Sequence, residues 1–331
     1  MQNKGTKTIE THRLILRPFR TEDAPAMFRN WAHDAAVTEY LTWQPHADAQ
    51  KSAELLAQWE RQTAEDPAFY QWAIELKSLG EPIGSLSAMH VNEAVESAEL
   101  GWCIGRAWWG RGIMPEAGAA VIAYLFDEVG LNRVAAKHDV RNPKSGRVMQ
   151  KLGMTCEGTL RQAGRCNAGL CDETVYSILR SEYLERGGAL IPEKSCGAVI
   201  FTGDGPARRY LLERMKKGHV SLCKGHVEPG ETERETAARE IAEETALEDL
   251  VFLDGFREID KYQPYPGCEK TNIFFLARAE RTETTPQPDE VSEIFWLPLE
   301  DACAALTYES DREIVRKAAR FLDQSGAAKG V

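Results

Sequence analysis

Three glutamates in the second half of the chain are spaced so that they meet on one face of a predicted helix. Glu240, Glu243 and Glu244 stand at positions i, i+3 and i+4, which are neighbours on a helix surface. Carboxylates this close repel one another unless cations lie among them, and hard oxygen ligands select Mg²⁺ or Mn²⁺. Such cations clamp bridging phosphates and activate water. The spacing therefore favours metal-dependent phosphate chemistry; the alternative is a solvated acidic helix face.

The residues before these glutamates indicate where the helix begins and what precedes it. Thr232 is the predicted N-cap, and Glu235 three residues later completes a capping box. We expect the helix to run to about Thr245. Residues 225–230 are predicted to form a loop, with Pro229-Gly230 as a turn.

The full spacing is more specific than the acidic face alone. From Gly225 the chain has five residues, then Glu231, seven further residues, and the run Arg239-Glu240-Ile241-Ala242-Glu243-Glu244-Thr245-Ala246-Leu247. This arrangement resembles the Nudix box and departs from it at one specified position, since Ala246 stands where glycine is usual. That glycine closes the helix C-terminus with a positive φ. Alanine there costs some stability but removes no catalytic group.

The resemblance to Nudix (MutT-like) hydrolases covers about residues 195–306. Within that superfamily, the asymmetric diadenosine tetraphosphate hydrolases are the most similar. The residues that carry the likeness are 196–201, 224–231, 255–258, 270–271, Glu290 and 296–300. The resemblance implies Mg²⁺- or Mn²⁺-dependent hydrolysis of a small nucleotide, a nucleoside or dinucleoside polyphosphate.

The same resemblance implies roles for single residues. Glu240 and Glu244 would be metal ligands, with Glu243 assisting and the Gly225 carbonyl joining the metal shell. The residues that it implies for catalysis are Glu243, Glu231, Arg239 (which would hold Glu231 in place) and Glu290 as a further metal-binding or base carboxylate.

Substrate contacts follow from the likeness less directly. Lys270 would bind phosphate. Tyr262 is the first of three aromatic residues considered for stacking on a base, the others being Tyr265 and Phe274; core packing is the alternative for each. For Glu290, an ordinary surface glutamate is the alternative.

A glycine-containing turn in the first half could also bind phosphate. A predicted strand ends near Ile104 and is followed by Gly110-Arg111-Gly112 and a helix that starts near Pro115. Free N–H groups at a helix start can bind a pyrophosphate, glycines let the backbone approach closely, and Arg111 adds charge. Alone, this is a weak signal, because most glycine turns bind nothing.

The context of the turn resembles a known family. Residues 11–18, 109–112 and 141–154 make about residues 8–183 similar to GNAT acetyltransferases, of the kind that includes the ribosomal-protein alanine N-acetyltransferases. Ala107 departs from the motif, where many members carry Gln or Arg. The resemblance implies acetyl-CoA as cofactor and acetylation of an amine, either a small molecule or a protein N-terminus.

This second resemblance also implies a set of site residues. Those that would hold acetyl-CoA are Ile104, Arg111, Gly112, Ile113, Met114, Asn142 and Ser145. Glu99 is a candidate base that would deprotonate the amine through water, with a surface glutamate as the alternative. For Tyr176 a general acid and a core tyrosine are both open, and Trp102, Trp108 and Trp109 either line an acceptor pocket or fill the core.

The order of predicted elements indicates two domains. The predicted elements of the first half are strands at 11–18, 71–76, 81–86, 100–104, 133–138 and 175–179 and a helix at 117–129. We expect an α/β and α+β chain, with a GNAT mixed sheet flanked by helices at residues 1–186 and a Nudix α/β/α sandwich at 195–331. Gly187, Gly188 and Pro192 mark a linker at 187–194.

Composition limits the classes of protein that the chain can be. Its 331 residues, 43% of them hydrophobic, are enough for two cores. The net charge is -11, and residues 187–331 carry 27 acidic against 19 basic side chains, which disfavours nucleic acid as a partner. No run of 18 apolar residues and no apolar signal segment is present, so no membrane partner is expected.

The eight cysteines contain no Cys-x-x-Cys pair. We interpret them as free thiols of a reducing cytoplasm, with a metal site at Cys166 and Cys171 as an alternative.

Taken together, the sequence predicts a bifunctional enzyme. The alternative is that only one half is catalytic and the other senses a ligand.

Overall fold

The computed structural model describes residues 1–216, 218–228, 230–287 and 291–327, and the chain divides into two compact units. The first comprises Met1–Pro192 with Gln263–Glu269, and the second comprises Glu193–Tyr262 and the chain from Lys270 onward. Within the linker predicted at 187–194, the chain is already β-strand from Ala189. The domain limits given above stay a prediction. Among the described helices, none is long and apolar enough to cross a membrane.

An eight-stranded mixed sheet forms the first unit. Its strands are β1 (Ile9–Glu10), β2 (Leu14–Pro18), β3 (Tyr70–Leu76), β4 (Glu81–Asn92), β5 (Ser97–Ile104), β6 (Arg133–Asp139), β7 (Thr155–Cys166) and β8 (Gly169–Leu179). They lie in the order β1-β2-β3-β4-β5-β6-β8-β7. The pair β5–β6 is parallel and the other pairs of this sheet are antiparallel.

Helices lie on both faces of this sheet. They are α1 (Ala24–Met27), α2 (Ala35–Thr38), α3 (Ala49–Glu65), α4 (Ile113–Tyr124), α5 (Pro143–Lys151) and α6 (Arg180–Glu185). Strand β3 shows the two faces, because successive side chains of a strand point to opposite sides. Trp72 and Ile74 pack in the core that contains α4, whereas Ala73 packs in the core that contains α1 and α3. The predicted mixed sheet flanked by helices is confirmed.

The sequence analysis missed one long strand of this unit. Strand β7 pairs with β8 along most of its length, but its side chains are mainly exposed. It therefore lacks the apolar alternation by which a half-buried strand is recognised. The predicted helix at 117–129 is α4, which continues as a π-helical turn over Leu125–Val129 and stops at Gly130 with φ 78°.

A seven-stranded sheet lies between two layers of helix, and all of it belongs to the second unit except the first residues of two of its strands. The strands are β9 (Ala189–Thr202), β10 (Arg209–Met215), β11 (Val220–Ser221), β12 (Lys224–His226), β13 (Leu250–Tyr262), β14 (Gly267–Ala279) and β15 (Val291–Leu297). The order is β11-β10-β9-β14-β13, with β12 paired to β9 and β15 to β10. The helices are α7 (Glu233–Thr245), α8 (Leu299–Ala305) and α9 (Glu309–Ala327).

The alternation of β9 shows why helices cover both faces of this sheet. Ala198 and Ile200 pack in the core that includes Ile241 of α7. The intervening Val199 and Phe201 pack in the core that includes α8 and α9. A strand buried on both faces must be covered on both sides. The predicted α/β/α sandwich is confirmed.

Candidate functional sites

Helix α7 carries the three glutamates and has the ends that its sequence predicts. The Thr232 hydroxyl accepts from the Glu235 amide at 3.3 Å, and the Glu235 carboxylate accepts from the Thr232 amide at 2.8 Å. This reciprocal pair satisfies two N–H groups that a helix start leaves open. At the other end, Ala246 adopts the left-handed conformation with φ 61°.

Glu240 lies against the backbone of Gly225. The residues 225–226, predicted as loop, belong to strand β12, in which Gly225 pairs with Cys196 of β9. A Cβ atom at Gly225 would overlap the Glu240 carboxylate, so glycine is required for this close approach. Burial raises the pKa of Glu240, and a hydrogen bond from Arg239 partly opposes that shift. A carboxylate and a backbone segment that offers a carbonyl are thus brought together.

Arg239 ties the loop before the helix to the helix face. Its Nε donates to Glu231 at 2.6 Å, and its Nη2 donates to the His226 carbonyl at 2.9 Å. Its Nη1 reaches Glu240 at 2.9 Å and Glu243 at 3.2 Å. Hydrogen bonds from this guanidinium and from the Glu228 amide lower the pKa of Glu231 to about 2. The contact predicted between Arg239 and Glu231 is present, while the catalytic roles of both residues stay predictions.

Glu244 is the most buried of the three glutamates, and its surroundings were not foreseen. Glu244 is only 4% exposed, and its carboxylate accepts a hydrogen bond from the Cys223 thiol at 2.7 Å. Glu213 of β10 joins them: one ligand atom from each of the three residues lies within 4.8 Å of the others. Burial raises the pKa of Cys223 well above its usual range, so the thiol keeps its proton and can donate. Nothing in the local sequence signals this meeting, because it depends on how β10, α7 and the residue just before β12 pack.

The donor set fits a divalent cation. Three carboxylates, those of Glu231, Glu240 and Glu243, contact the guanidinium of Arg239, and Glu244 of the same helix adds a fourth, which is hydrogen-bonded to Cys223. The single positive charge of Arg239 offsets only one of these negative charges. Carboxylate oxygens therefore remain as ligands for a hard metal ion. The residues that would hold it are Glu240 and Glu244, with Gly225 and Glu243 beside them. That ligand assignment stays a prediction.

The predicted substrate residues differ in how they are placed. Lys270 Nζ lies 3.9 Å from Glu193, whose carboxylate is also 3.6 Å from His226 Nε2. Tyr262 is 44% exposed, so its ring is accessible to a ligand. Glu290 lies outside the described residues.

The other two aromatic candidates are buried. Phe274 is fully buried in the core beneath α8 and α9, so its proposed stacking on a base is wrong; core packing is the role that the structure gives it. Tyr265 is 5% exposed. Asn272, which the sequence analysis did not single out, is 2% exposed, and its amide lies 3.5 Å from Asp260.

In the first unit, strands β5 and β6 part at the centre of the sheet. Their pairing covers Ser97–Leu100 and Arg133–Ala136 only, whereas β5 continues to Ile104 and β6 to Asp139. Beyond this point each strand keeps only its other neighbour, β4 or β8. The gap leaves backbone groups of both strands available to a ligand. Glu99 lies just before the gap.

The glycine turn ends at the start of α4 and leaves room for an anion. Gly112 is the helix N-cap, has φ 70°, and has no side chain to cap the first amides. A Cβ at Gly110 would meet no atom within 4 Å, so that side of the turn is open. Ile113 and Met114, the first two residues of the helix, are 3% and 5% exposed, and a helix start leaves their amides without an intrahelical partner. A glycine turn followed by such a helix start is an arrangement with which proteins bind phosphate groups.

Asn142 and Ser145 form the start of α5. The Asn142 side chain caps the helix by accepting from the Ser145 amide at 3.4 Å. Trp109 links this helix to β5, since its Nε1 donates to the Ile104 carbonyl at 2.8 Å and Lys144 Nζ lies 4.3 Å from its ring centre. The three tryptophans near the turn are partly buried. Trp102 and Trp108 pack against the core that contains α4, and Trp109 packs against the core that contains α1 and α3.

Glu99 has a cation beside it. Lys137 Nζ lies 3.7 Å from Glu99 and 3.2 Å from Glu173. Burial lowers the pKa of Lys137, but the two carboxylates outweigh burial, so the pKa is raised and the ammonium is maintained.

Tyr176 is 7% exposed, packs beside His138 and receives a hydrogen bond from Gln150 at 3.4 Å. Its burial favours the core role over that of a general acid.

The cysteines of the β7–β8 hairpin meet a carboxylate. The ligand atoms of Asp139, Cys166 and Cys171 lie within 4.8 Å of one another, and all eight cysteines of the chain are free thiols. Arg141 occupies the same place, donating to Asp139 at 2.6 Å. That guanidinium already balances the carboxylate, which makes the cluster unfavourable for a metal cation.

Comparison with known proteins divides the chain in the same way as its fold. Residues 13–155 match the acetyltransferase (GNAT) domain family, and residues 192–318 match the NUDIX domain family. The uncharacterized N-acetyltransferase p20 of Bacillus licheniformis is 30% identical over 177 residues, which is 54% of this chain and 98% of that protein. The uncharacterized N-acetyltransferase YoaA of Bacillus subtilis is 30% identical over 52% of this chain and 96% of its own length.

The second half has different relatives. The asymmetrical bis(5'-nucleosyl)-tetraphosphatase of Rattus norvegicus is 31% identical over 140 residues, which is 39% of this chain and 95% of that protein. The matched ranges include the glycine turn before α4 and the glutamate face of α7. The chain therefore belongs to two families, with a GNAT N-acetyltransferase domain in its first half and a Nudix hydrolase domain in its second.

Proposed function

We propose that the chain is a bifunctional enzyme, which hydrolyses a nucleoside or dinucleoside polyphosphate with Mg²⁺ and acetylates an amine with acetyl-CoA. The hydrolase proposal is supported chiefly by the approach of Glu240 to Gly225 beside the buried Glu244. Mg²⁺ or Mn²⁺ at these residues would supply charge neutralisation for the phosphates and an activated water. The chain's own part is to hold the carboxylates in place, through Arg239 and the Cys223 thiol.

The proposed hydrolase substrate is a diadenosine tetraphosphate-like molecule. Support comes from the relative named as a bis(5'-nucleosyl)-tetraphosphatase and from the accessible ring of Tyr262 near the strand that carries Lys270. In this proposal Lys270 binds phosphate and Tyr262 stacks on a base, a contact that aromatic rings make with any nucleobase.

A turnover assay with a matched pair of variants tests this half. Purified protein is incubated with diadenosine tetraphosphate and Mg²⁺, and the products are separated by charge. Glu244→Gln should lower turnover by at least about 100-fold, because it removes a metal ligand. Glu248→Gln makes the same change at an exposed residue just after α7 and should leave turnover unchanged. Equal turnover in wild type and Glu244→Gln would overturn the metal assignment.

For the first half we propose that acetyl-CoA binds with its pyrophosphate on the amides at Gly112–Met114 and its pantetheine arm in the gap between β5 and β6. The uncapped helix start and the parting of the two strands support this placement. In this reading Arg111 adds charge at the pyrophosphate, and Asn142 and Ser145 stand near the thiol region. Glu99 is the proposed base.

Calorimetric titration with acetyl-CoA tests binding, and acetyl transfer to a panel of amines tests chemistry. Glu99→Gln should lower transfer while preserving acetyl-CoA affinity, and Glu93→Gln, an exposed residue in the β4–β5 turn, is its control. Failure of wild-type protein to bind acetyl-CoA would overturn the proposal for this half.

A second candidate function is that the first half binds acetyl-CoA as a sensor without transferring the acetyl group. One observation favours it: the Lys137 ammonium, which keeps its charge, lies 3.7 Å from Glu99, so the carboxylate proposed as the base is already engaged in an ion pair. Binding of acetyl-CoA without transfer to any tested amine would support this candidate over the first.

A further inference from the structure

Arg13 stands beside the glycine turn of the first unit with its guanidinium fixed on two sides. Its Nε donates to Glu116 Oε2 at 2.7 Å. Its Nη1 donates to the Arg111 carbonyl at 2.8 Å. The side chain is 40% exposed, so the group is held firmly but still reaches solvent. An arginine fixed in this way loses little freedom when it binds an anion.

Glu116 fixes Arg13 from inside the fold. It lies in the first turn of α4, and its side chain is 5% exposed. Its Oε1 accepts from the Thr11 hydroxyl at 2.6 Å and from the Arg13 amide at 2.9 Å, while Oε2 accepts from the guanidinium. Every contact of this carboxylate therefore serves to join the β1–β2 turn to the start of α4.

The third guanidinium nitrogen faces the turn itself. Nη2 of Arg13 lies 3.6 Å from the position that a Cβ at Gly112 would occupy. Among the described residues, no hydrogen-bond acceptor is found for this nitrogen. Gly112 is the uncapped N-cap of α4, so a charged donor and the first free amides of the helix lie at the same place. A guanidinium nitrogen thus lies close to the N-cap residue of a helix whose first amides lack intrahelical partners.

We propose that Arg13, held by Glu116, is a ligand for the pyrophosphate of coenzyme A. Nη2 would donate to a phosphate oxygen, while Nη1 restrains the Arg111 carbonyl and so preserves the shape of the turn. This inference rests on the proposed binding of acetyl-CoA in the first half. The glycine turn at Gly110–Gly112 provides the proposed pyrophosphate site. Arg13 adds to it a contact from the β1–β2 turn, about one hundred residues earlier in the chain.

The competing explanation is that the Arg13–Glu116 pair only joins two elements of the fold. The two explanations differ in which part of the coenzyme a variant would affect. A phosphate ligand matters only for ligands that carry the pyrophosphate, whereas a structural pair affects every ligand of the domain.

Calorimetry on the full chain separates them, with coenzyme A, dephospho-coenzyme A and pantetheine (at millimolar concentration) as ligands. Arg13→Gln should weaken both nucleotide ligands by about tenfold or more, the loss of one hydrogen bond between charged groups, and leave pantetheine unchanged. Glu116→Gln should do the same to a smaller extent. Arg61→Gln removes a charge from the exposed face of α3 and should change none of the three.

Four outcomes would overturn the proposal. Coenzyme A affinity unchanged in Arg13→Gln excludes the contact, and equal losses for coenzyme A and pantetheine indicate a structural pair. A loss for coenzyme A but not for dephospho-coenzyme A places the arginine on the 3′-phosphate instead. If wild-type protein binds none of the ligands, the proposed function of this half fails and the inference fails with it. Thermal unfolding of each variant verifies that it is folded.

Discussion

At the scale of single residues, Glu244 shows how a buried carboxylate is kept in position. It is almost fully buried, and burial of a charge is unfavourable unless hydrogen bonds or cations compensate. The Cys223 thiol supplies one hydrogen bond at 2.7 Å and holds its proton because it is itself buried. The thiol therefore orients a predicted metal ligand without competing for the metal as a thiolate.

Removing that hydrogen bond should weaken metal binding. We expect Cys223→Ala to raise the Mg²⁺ concentration for half-maximal hydrolysis by about tenfold, as found when a ligand loses its supporting hydrogen bond. Cys223→Ser keeps a donor and should remain within about twofold of wild type. Cys303→Ala deletes a buried thiol in α8, so it should lower stability only. Similar Mg²⁺ dependence in the Ala and Ser variants would contradict the role given to the thiol.

Asp139 provides a prediction for acid pH. Hydrogen bonds from Arg141 outweigh burial and lower the pKa of Asp139 to about 2 from its ordinary value of 3.8. A carboxyl with a lowered pKa stabilises the fold above its unfolded pKa and loses that contribution as pH falls towards its folded pKa. Wild type should therefore have a larger free energy of unfolding than Asp139→Asn. This difference should be greatest above pH 5 and should shrink between pH 4 and pH 2. Urea titrations across this range measure it, and a difference that grew in acid would contradict the assignment.

At the scale of elements, α7 begins with a favourable cap and ends with an unfavourable one. Its capping box satisfies the first N–H groups, whereas Ala246 takes a left-handed conformation that suits glycine. The helix is kept there by its buried face, in which Ala237 and Ile241 pack against β9. Packing thus outweighs a local cost at the C-terminus.

Ala246→Gly should stabilise the chain by about 1 kcal/mol, because it removes the strain of a Cβ at positive φ. Ala246→Val should have the opposite effect, since a β-branched residue fits that conformation worst. Urea unfolding of the three proteins measures both changes. Hydrolase turnover should be similar in all three, because residue 246 is exposed and carries no ligand. If the glycine variant were no more stable than wild type, the left-handed cap would be wrong.

At the scale of the whole molecule, each of the two sheets has its own cores and its own candidate site. The glutamate face lies within the second unit, and the glycine turn with its splayed strands lies within the first. The bifunctional proposal therefore predicts activities that can be removed separately.

Saturating acetyl-CoA should change the kcat/KM of hydrolysis by less than about twofold, and Glu244→Gln should bind acetyl-CoA as wild type does. A change of fivefold or more would amount to a coupling free energy of the usual allosteric size. It would favour the alternative, in which one half senses a ligand for the other. Hydrolysis rates with and without acetyl-CoA, measured on the same preparation, distinguish the two.

The sequence by itself determined the features that depend on short spacings. The face shared by Glu240, Glu243 and Glu244, the Thr232–Glu235 capping box and the glycine before α4 all follow from helix period and turn chemistry within a few residues. Both families and both architectures were predicted from the resemblance of longer segments to known families. Apolar alternation predicted the inner strands but could not predict β7, whose side chains are mostly exposed.

Only the tertiary structure decided which distant residues meet. The contact of Cys223 and Glu213 with Glu244, the pairing of Arg13 with Glu116 across 103 positions, and the placing of Lys137 beside Glu99 come from strand order and register. The structure also decided between base stacking and core packing for Phe274, because the face to which a strand residue points depends on register. Local propensities act over one turn of chain, whereas these contacts depend on how whole elements pack.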